Sequence, residues 1–208
     1  MDKKQMIETF TENAEAVSAI VSHVGTLREA LEYAVNICEQ KEACTLLASG
    51  CDLPLSGKTQ ELCETKEGKI LAAPNIDPRS YKHLEGLCEE KGIECIKKGL
   101  RRHLGGLDMG VTVCDWGIAE TGSLVLDSTP EDVRLATMVA ETHIAVLPVS
   151  KLKETSYDQE DEQGELHSKP PNYTAFITGA SRTADIERVL TLGVHGPLEL
   201  HILLWEDK

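Results

Sequence analysis

The sequence predicts an α/β protein with a mainly parallel sheet flanked by helices, and three observations carry that prediction. Segments with apolar residues at helical spacing alternate with short apolar runs of strand chemistry along most of the chain. Helix starts are marked by capping residues, among them Thr26-Leu27-Arg28-Glu29 and Asp77-Pro78. The length, 208 residues, suits one domain spanning 1–208 that buries an ordinary core.

Met6, Phe10, Ala14 and Val17 recur at helical spacing, so an amphipathic helix over about 1–18 opens the chain. Ala19 to Val24 reads as a strand. Thr26 and Glu29 then form a capping box, and Leu27, Leu31, Ala34, Val35 and Cys38 make one apolar stripe behind it. Thr45 to Ala48 reads as a buried strand, Thr59 to Thr65 as a helix and Lys69 to Ala73 as a strand. Asp77 caps the next helix, whose inner face carries Tyr81, Leu84 and Cys88; Gly92 stops it and Ile93 to Ile96 returns as a strand. The middle breaks the rhythm. Gly110 to Ala119 and Gly122 to Asp127 are β-rich runs with only Glu120-Thr121 between them. Thr129-Pro130-Glu131-Asp132 reads as a second capping box opening a helix. His143 to Val149, Tyr173 to Thr178 and Leu198 to Trp205 read as strands, the last closing the sheet, and Ala184 to Leu192 as a short helix. The acidic run over about 153–169 reads as a solvated loop ended by Pro170-Pro171.

Composition narrows the partners. With 21 Lys plus Arg against 35 Asp plus Glu, the net charge of −14 argues against nucleic acid or an anionic membrane as the main partner. No apolar run is long enough to span a membrane, and the first residues lack the pattern of a signal peptide, so a soluble cytoplasmic protein is expected. The cysteines at 38, 44, 51, 63, 88, 95 and 114 are odd in number and scattered, without Cys-x-x-Cys. They read as reduced small hydrophobes rather than metal ligands, a cluster assembled from distant cysteines being the alternative.

The densest chemistry lies in Ser181-Arg182-Thr183-Ala184-Asp185-Ile186-Glu187 and Val194-His195-Gly196-Pro197. Ser181 to Thr183 is placed where a strand stops and a helix starts, and unpaired N–H groups there favour an anion. Arg182 adds a bidentate clamp for a carboxylate or phosphate. The plain alternative is that Ser181 and Thr183 only cap the helix while Arg182 pairs with a nearby acid. His195, on a tight turn, suits ligand binding or acid/base work, or a bond to backbone. Glu120 lies in a polar turn between apolar strands, where a desolvated carboxylate suits base or nucleophile work; a structural carboxylate held by Arg182, Thr121 or Ser123 is the alternative. Asp115 reads as a structural hydrogen bonder and His103 as a weaker candidate. No phosphate loop, dinucleotide fingerprint or nucleophile elbow occurs.

Taken in order, Ile118-Ala119-Glu120-Thr121-Gly122-Ser123-Leu124-Val125-Leu126, His143-Ile144-Ala145-Val146 and Ser181 through Pro197 resemble the LUD-domain family, and within it the lactate utilization protein C type. The likeness runs over nearly the whole chain and is specific from about Gly110 to Leu204. Ser123 stands where the family usually has threonine, Ala180 where it often has proline, and the acidic stretch is longer. The resemblance implies a fold similar to the ribose-5-phosphate isomerase, glucosamine-6-phosphate deaminase and CoA-transferase group. It implies a non-redox subunit supporting oxidation of L-lactate to pyruvate, with iron–sulfur clusters on separate partner subunits and no cofactor in this chain. On that reading a small carboxylate such as lactate or pyruvate, or a partner's surface, is bound in a pocket walled by Glu120, Arg182 and His195. Glu120 and His195 are the catalytic candidates there, and Thr121, Ser181, Arg182 and Thr183 the ligand-binding ones. Two alternatives stand beside it: a stand-alone CoA-transferase or isomerase-like enzyme using Glu120, and a non-catalytic adaptor.

Overall fold

The computed structural model describes residues 1–42, 57, 68–103, 106–159, 164, 172–183, 191–192 and 196–207. Helix α1 (Lys3–Ala16) begins at Asp2, whose carboxylate accepts the Gln5 N–H while the Gln5 side chain accepts the Asp2 N–H. Strand β1 (Ala19–Val24) leads into α2 (Leu27–Gln40), where Thr26 Oγ1 accepts the Glu29 N–H at 3.1 Å. The Glu29 carboxylate reaches one residue beyond the expected box, to the Gly25 N–H at 2.8 Å.

After β2 (Ile70–Ala72), helix α3 (Pro78–Glu90) starts as expected. The Asp77 carboxylate accepts the N–H groups of Arg79 and Ser80 at 3.0 and 3.1 Å, and Ser80 leads the contacts that hold its carboxyl below the usual range. Asp77→Ala will cost about 1 kcal/mol of stability, read as a lower urea midpoint at an unchanged slope.

The chain continues through β3 (Glu94–Ile96) into β4 (Leu107–Val113). Here the expected run from Gly110 to Ala119 divides. Cys114 N–H still donates to Val146 in the large sheet, whereas Asp115 N–H donates to Val125 in a second, smaller one. The chain thus changes sheets between two adjacent residues, and β5 (Trp116–Ile118) belongs to the smaller sheet with β6 (Ser123–Asp127). Helix α4 (Glu131–Met138) lacks the expected capping box. Pro130 is its N-cap without a side-chain bond, because Thr129 Oγ1 is taken by the Tyr173 N–H at 3.2 Å. Then follow β7 (Ala140–Pro148), which starts three residues before the expected strand, β8 (Leu152–Lys153) and β9 (Thr174–Ile177). Last come β10 (Arg182–Thr183), β11 (Thr191–Leu192) and β12 (Glu199–Trp205).

The large sheet has the order β1-β12-β7-β4-β2-β3, with every neighbouring pair parallel. The last strand in the sequence is therefore inserted between β1 and β7. The smaller sheet runs β8-β5-β6-β9, antiparallel except for the β5–β8 pair. Alternation along the parallel strands sends side chains to opposite faces. Met109, Val111, Ile144, Val146 and Leu203 pack under α2 and α3, while Ala145, Leu147, Leu200, Ile202 and Leu204 pack under α1 and the smaller sheet. This is the α/β fold with a mainly parallel, helix-flanked sheet that the sequence predicts.

The expected elements at Thr45 to Ala48 and Thr59 to Thr65 lie outside the described residues, as does most of the acidic run. At that run's start, Asp158 accepts the Thr155 N–H and hydroxyl. Among the described residues no helix is long and apolar enough to cross a membrane. Of the described cysteines, Cys38, Cys88 and Cys114 are buried as small hydrophobes are, and Cys95 is partly buried.

Candidate functional site

A cleft of about 320 Å³ opens between α4, β9 and the turn Gly179-Ala180, with His143, Leu200 and Pro197 completing its wall. Its lining is largely apolar, and its polar groups come from residues the fold holds firmly. Arg134, one turn into α4, donates to the carbonyls of Ser128 at 2.5 Å and Thr129 at 2.9 Å, and its guanidinium lies 4.6 Å from the Tyr173 ring centroid. The strand-to-helix turn before α4 is thereby clamped from inside. Ser128 N–H donates to Tyr173, which joins that turn to the start of β9. The Ser128 hydroxyl, however, is buried with no hydrogen-bond partner among the described residues. A buried hydroxyl left unpaired costs free energy unless something in the cleft completes it.

His143 lies in the middle of β7 at 1% exposure, its Nε2 2.8 Å from Thr112 Oγ1. Burial pushes its pKa down to about 4, so the imidazole is neutral at physiological pH. Thr137 is also buried and donates its hydroxyl to the Arg134 carbonyl, leaving oxygen lone pairs free. The cleft therefore combines a guanidinium, a neutral imidazole and two hydroxyls against apolar walls, and no carboxylate is among the described residues that line it.

None of the described sequence-predicted residues belongs to the lining of this cleft. Ser181 directly follows the lining residue Ala180, and its N–H donates to Pro197 O at 2.9 Å, so the two predicted segments do meet at one rim. Arg182 is exposed. Arg182 and Thr183 are extended, Arg182 pairing with Leu192 and Thr183 with Thr191, so the helix expected over 184–192 does not include Thr191 and Leu192. Residues 184–190 and His195 lie outside the described residues.

Glu120, expected to be desolvated, is exposed. It sits on a single 3-10 turn, Ala119–Thr121, whose inward position is taken by Ala119. That turn is pinned by Asn13 Nδ2, which donates to the carbonyls of Ala119 and Glu120, and by the Glu120 N–H donating to Glu154 O. Thr121 Oγ1 donates to Ser123 Oγ at 2.8 Å, and Ser123 Oγ is 2.6 Å from Thr178 Oγ1. This chain of hydroxyls ties the turn to the residue before Gly179, bypassing the Glu120 carboxylate. Asp115 is the structural hydrogen bonder expected: its carboxylate accepts the Asp127 N–H at 2.6 Å, and burial holds its carboxyl above the usual range.

Sequence reasoning missed Ser128, Arg134 and His143. His143 had one usable signal, its register: it alternates in phase with Ala145 and Leu147, which places an imidazole on an inward face. Ser128 and Arg134 had none, because their roles depend on the approach of Tyr173 from 45 residues downstream of Ser128.

Comparison with known proteins adds three findings. A family model described as LUD domain matches residues 7–205. Among curated proteins, the chain is 31% identical to uncharacterized protein NMB1437 of Neisseria meningitidis serogroup B over 67% of this chain and 57% of that one. It is 38% identical to lactate utilization protein C of Exiguobacterium sp. over 48% and 45% of the two chains, and 32% identical to lactate utilization protein C of Bacillus subtilis over 57% and 49%. The matches span about half the length of these relatives. A crystal structure of a DUF162 family protein from Deinococcus radiodurans shares the fold with a TM-score of 0.62 at 15% identity, covering 99% of each chain.

Proposed function

Because the chain belongs to the LUD-domain family, we propose that it acts in lactate utilization as a protein C-type subunit. In this reading it is cytoplasmic and supports oxidation of L-lactate to pyruvate, while iron–sulfur clusters on separate partner subunits accept the electrons. The observation that carries the reading is the cleft. A small 2-hydroxy or 2-oxo acid matches its chemistry group for group: the Arg134 guanidinium for the carboxylate, the unpartnered Ser128 hydroxyl and the His143 imidazole for the 2-oxygen, and apolar wall for the methyl group. Oxidation to the keto acid removes two electrons and two protons. A neutral imidazole can take the hydroxyl proton, while the C2 hydrogen leaves with the two electrons to the acceptor on the partner subunits.

Ser181, Arg182 and Thr183 continue directly from the cleft wall and form its rim in this reading; His195 lies outside the described residues and is tied to the wall only by its place in the sequence, two before Pro197. Glu120 and Thr121, both exposed on the hairpin turn, suit a surface that meets a partner. Nothing in the position of Glu120 favours the stand-alone CoA-transferase reading.

Calorimetric titration of the full chain, with the iron–sulfur subunits present, tests the assignment. Arg134→Met will weaken L-lactate or pyruvate binding by about tenfold or more, since a charge-assisted pair is lost. Arg182→Ala will have a smaller effect. Unchanged affinity in Arg134→Met would remove the cleft from the reading, and lactate oxidation that proceeds normally without binding to this chain would leave the adaptor role.

A further inference from the structure

A second cavity, of about 280 Å³, lies on the other face of the large sheet and is lined by Arg28, Leu31, Arg79, Ser80 and His83. Its position follows from topology. Because β1 and β2 point the same way in one parallel sheet, α2 and α3, which follow them, both start at its carboxyl rim. Arg28 and Arg79 are each the second residue of their helix. The backbone donors nearby are already engaged: Thr26 holds the Glu29 N–H, Glu29 holds that of Gly25, and Asp77 holds those of Arg79 and Ser80. What the cavity offers is therefore its side chains.

Among the described residues neither guanidinium has a hydrogen-bond or ion-pair partner. His83 Nε2 is buried without a hydrogen bond; its nearest acid, Glu32, is 3.9 Å away, beyond hydrogen-bond reach. In a chain with 35 acidic and 21 basic side chains, two guanidiniums and an imidazole line one concavity, with no carboxylate among its described lining residues. We propose that this cavity binds a phosphate-class oxyanion, free or carried as the phosphoryl group of a small metabolite. Arg28 and Arg79 each present a planar fork of N–H donors, a pair of forks that matches a tetrahedral dianion better than a planar carboxylate. His83 Nε2 supplies a further polar contact.

The full chain titrated calorimetrically with inorganic phosphate, pyrophosphate and AMP at low ionic strength tests this. Saturable binding of at least one probe is expected, weakened about tenfold or more by Arg28→Ala and by Arg79→Ala. Arg102→Ala, which removes another exposed guanidinium, will leave it unchanged. Preference for phosphate alone would identify the free anion, and preference for AMP or pyrophosphate an esterified ligand. All three arginines are exposed, and thermal melts of each variant confirm folding. Absence of saturable binding, or an equal loss in Arg102→Ala, overturns the proposal; lactate binding at the other cleft is unaffected by either result.

Discussion

Gly110→Ala will lower the stability of the chain by about 3 kcal/mol or more, and will carry binding at the α4 cleft down with it. A Cβ at this position would stand 2.1 Å from the carbonyl oxygen of Ala136, 3.0 Å from its carbon and 3.2 Å from Ala140 Cβ. The obstruction is main chain, which no rotamer change can move. Nor can β4 retreat, since Gly110 is laddered to His143 on one side and Ala72 on the other. Helix α4 must therefore lift, and α4 brings Arg134 and Thr137 to the cleft. Gly117→Ala makes the contrast. Its nearest neighbours, Leu147 Cδ2 at 2.5 Å and Leu152 Cδ1 at 3.0 Å, are side-chain tips that can repack, so a smaller loss is expected. Urea unfolding of the two variants beside the parent measures both. A Gly110→Ala protein within 1 kcal/mol of the parent would show that α4 is not seated against β4 this closely.

Where the fold was legible, the reason is local. The apolar stripe of α2, the Asp77-Pro78 start of α3 and the strand chemistry of Ala19 to Val24 each rest on residues within a few positions of one another, and each is found where the pattern puts it. The failures involve partners far apart in sequence. Thr129 has the spacing of a capping box, but its hydroxyl answers to Tyr173. The run from Gly110 to Ala119 looks continuous because no glycine or proline marks the step at Cys114-Asp115; the break is made by two backbone bonds to different sheets. The site follows the same division. Ser181 and Pro197 were legible as members of one dense polar segment, and they do meet. Glu120 was read as sheltered because its flanking strands are apolar, yet on a one-turn connection only Ala119 turns inward. Ser128 carries no local mark at all, since an ordinary serine before a helix becomes an unpaired buried hydroxyl only after β9 packs beside it.

Between pH 6.5 and 4 the His143 imidazole will cost the chain stability. In the unfolded chain His143 titrates near 6.5, whereas burial in β7 pushes it to about 4. Within that window the unfolded state binds a proton that the folded state refuses, so the stabilising contribution is complete above pH 6.5 and disappears as pH falls through the window. Its size is about 3 kcal/mol, from a displacement of two to three pH units. Burial also holds His201 below its ordinary value, and it acts in the same direction, so the parent's acid limb alone does not isolate His143. The difference between the parent and His143→Gln does. Glutamine keeps a polar group in reach of Thr112 Oγ1 and removes the titrating site, so the variant's stability will fall less steeply over the same window. Stability from urea unfolding at half-unit pH intervals gives the two curves. If they run parallel, the imidazole takes up a proton as readily in the folded chain as in the unfolded one, and burial in β7 does not hold it neutral through this window.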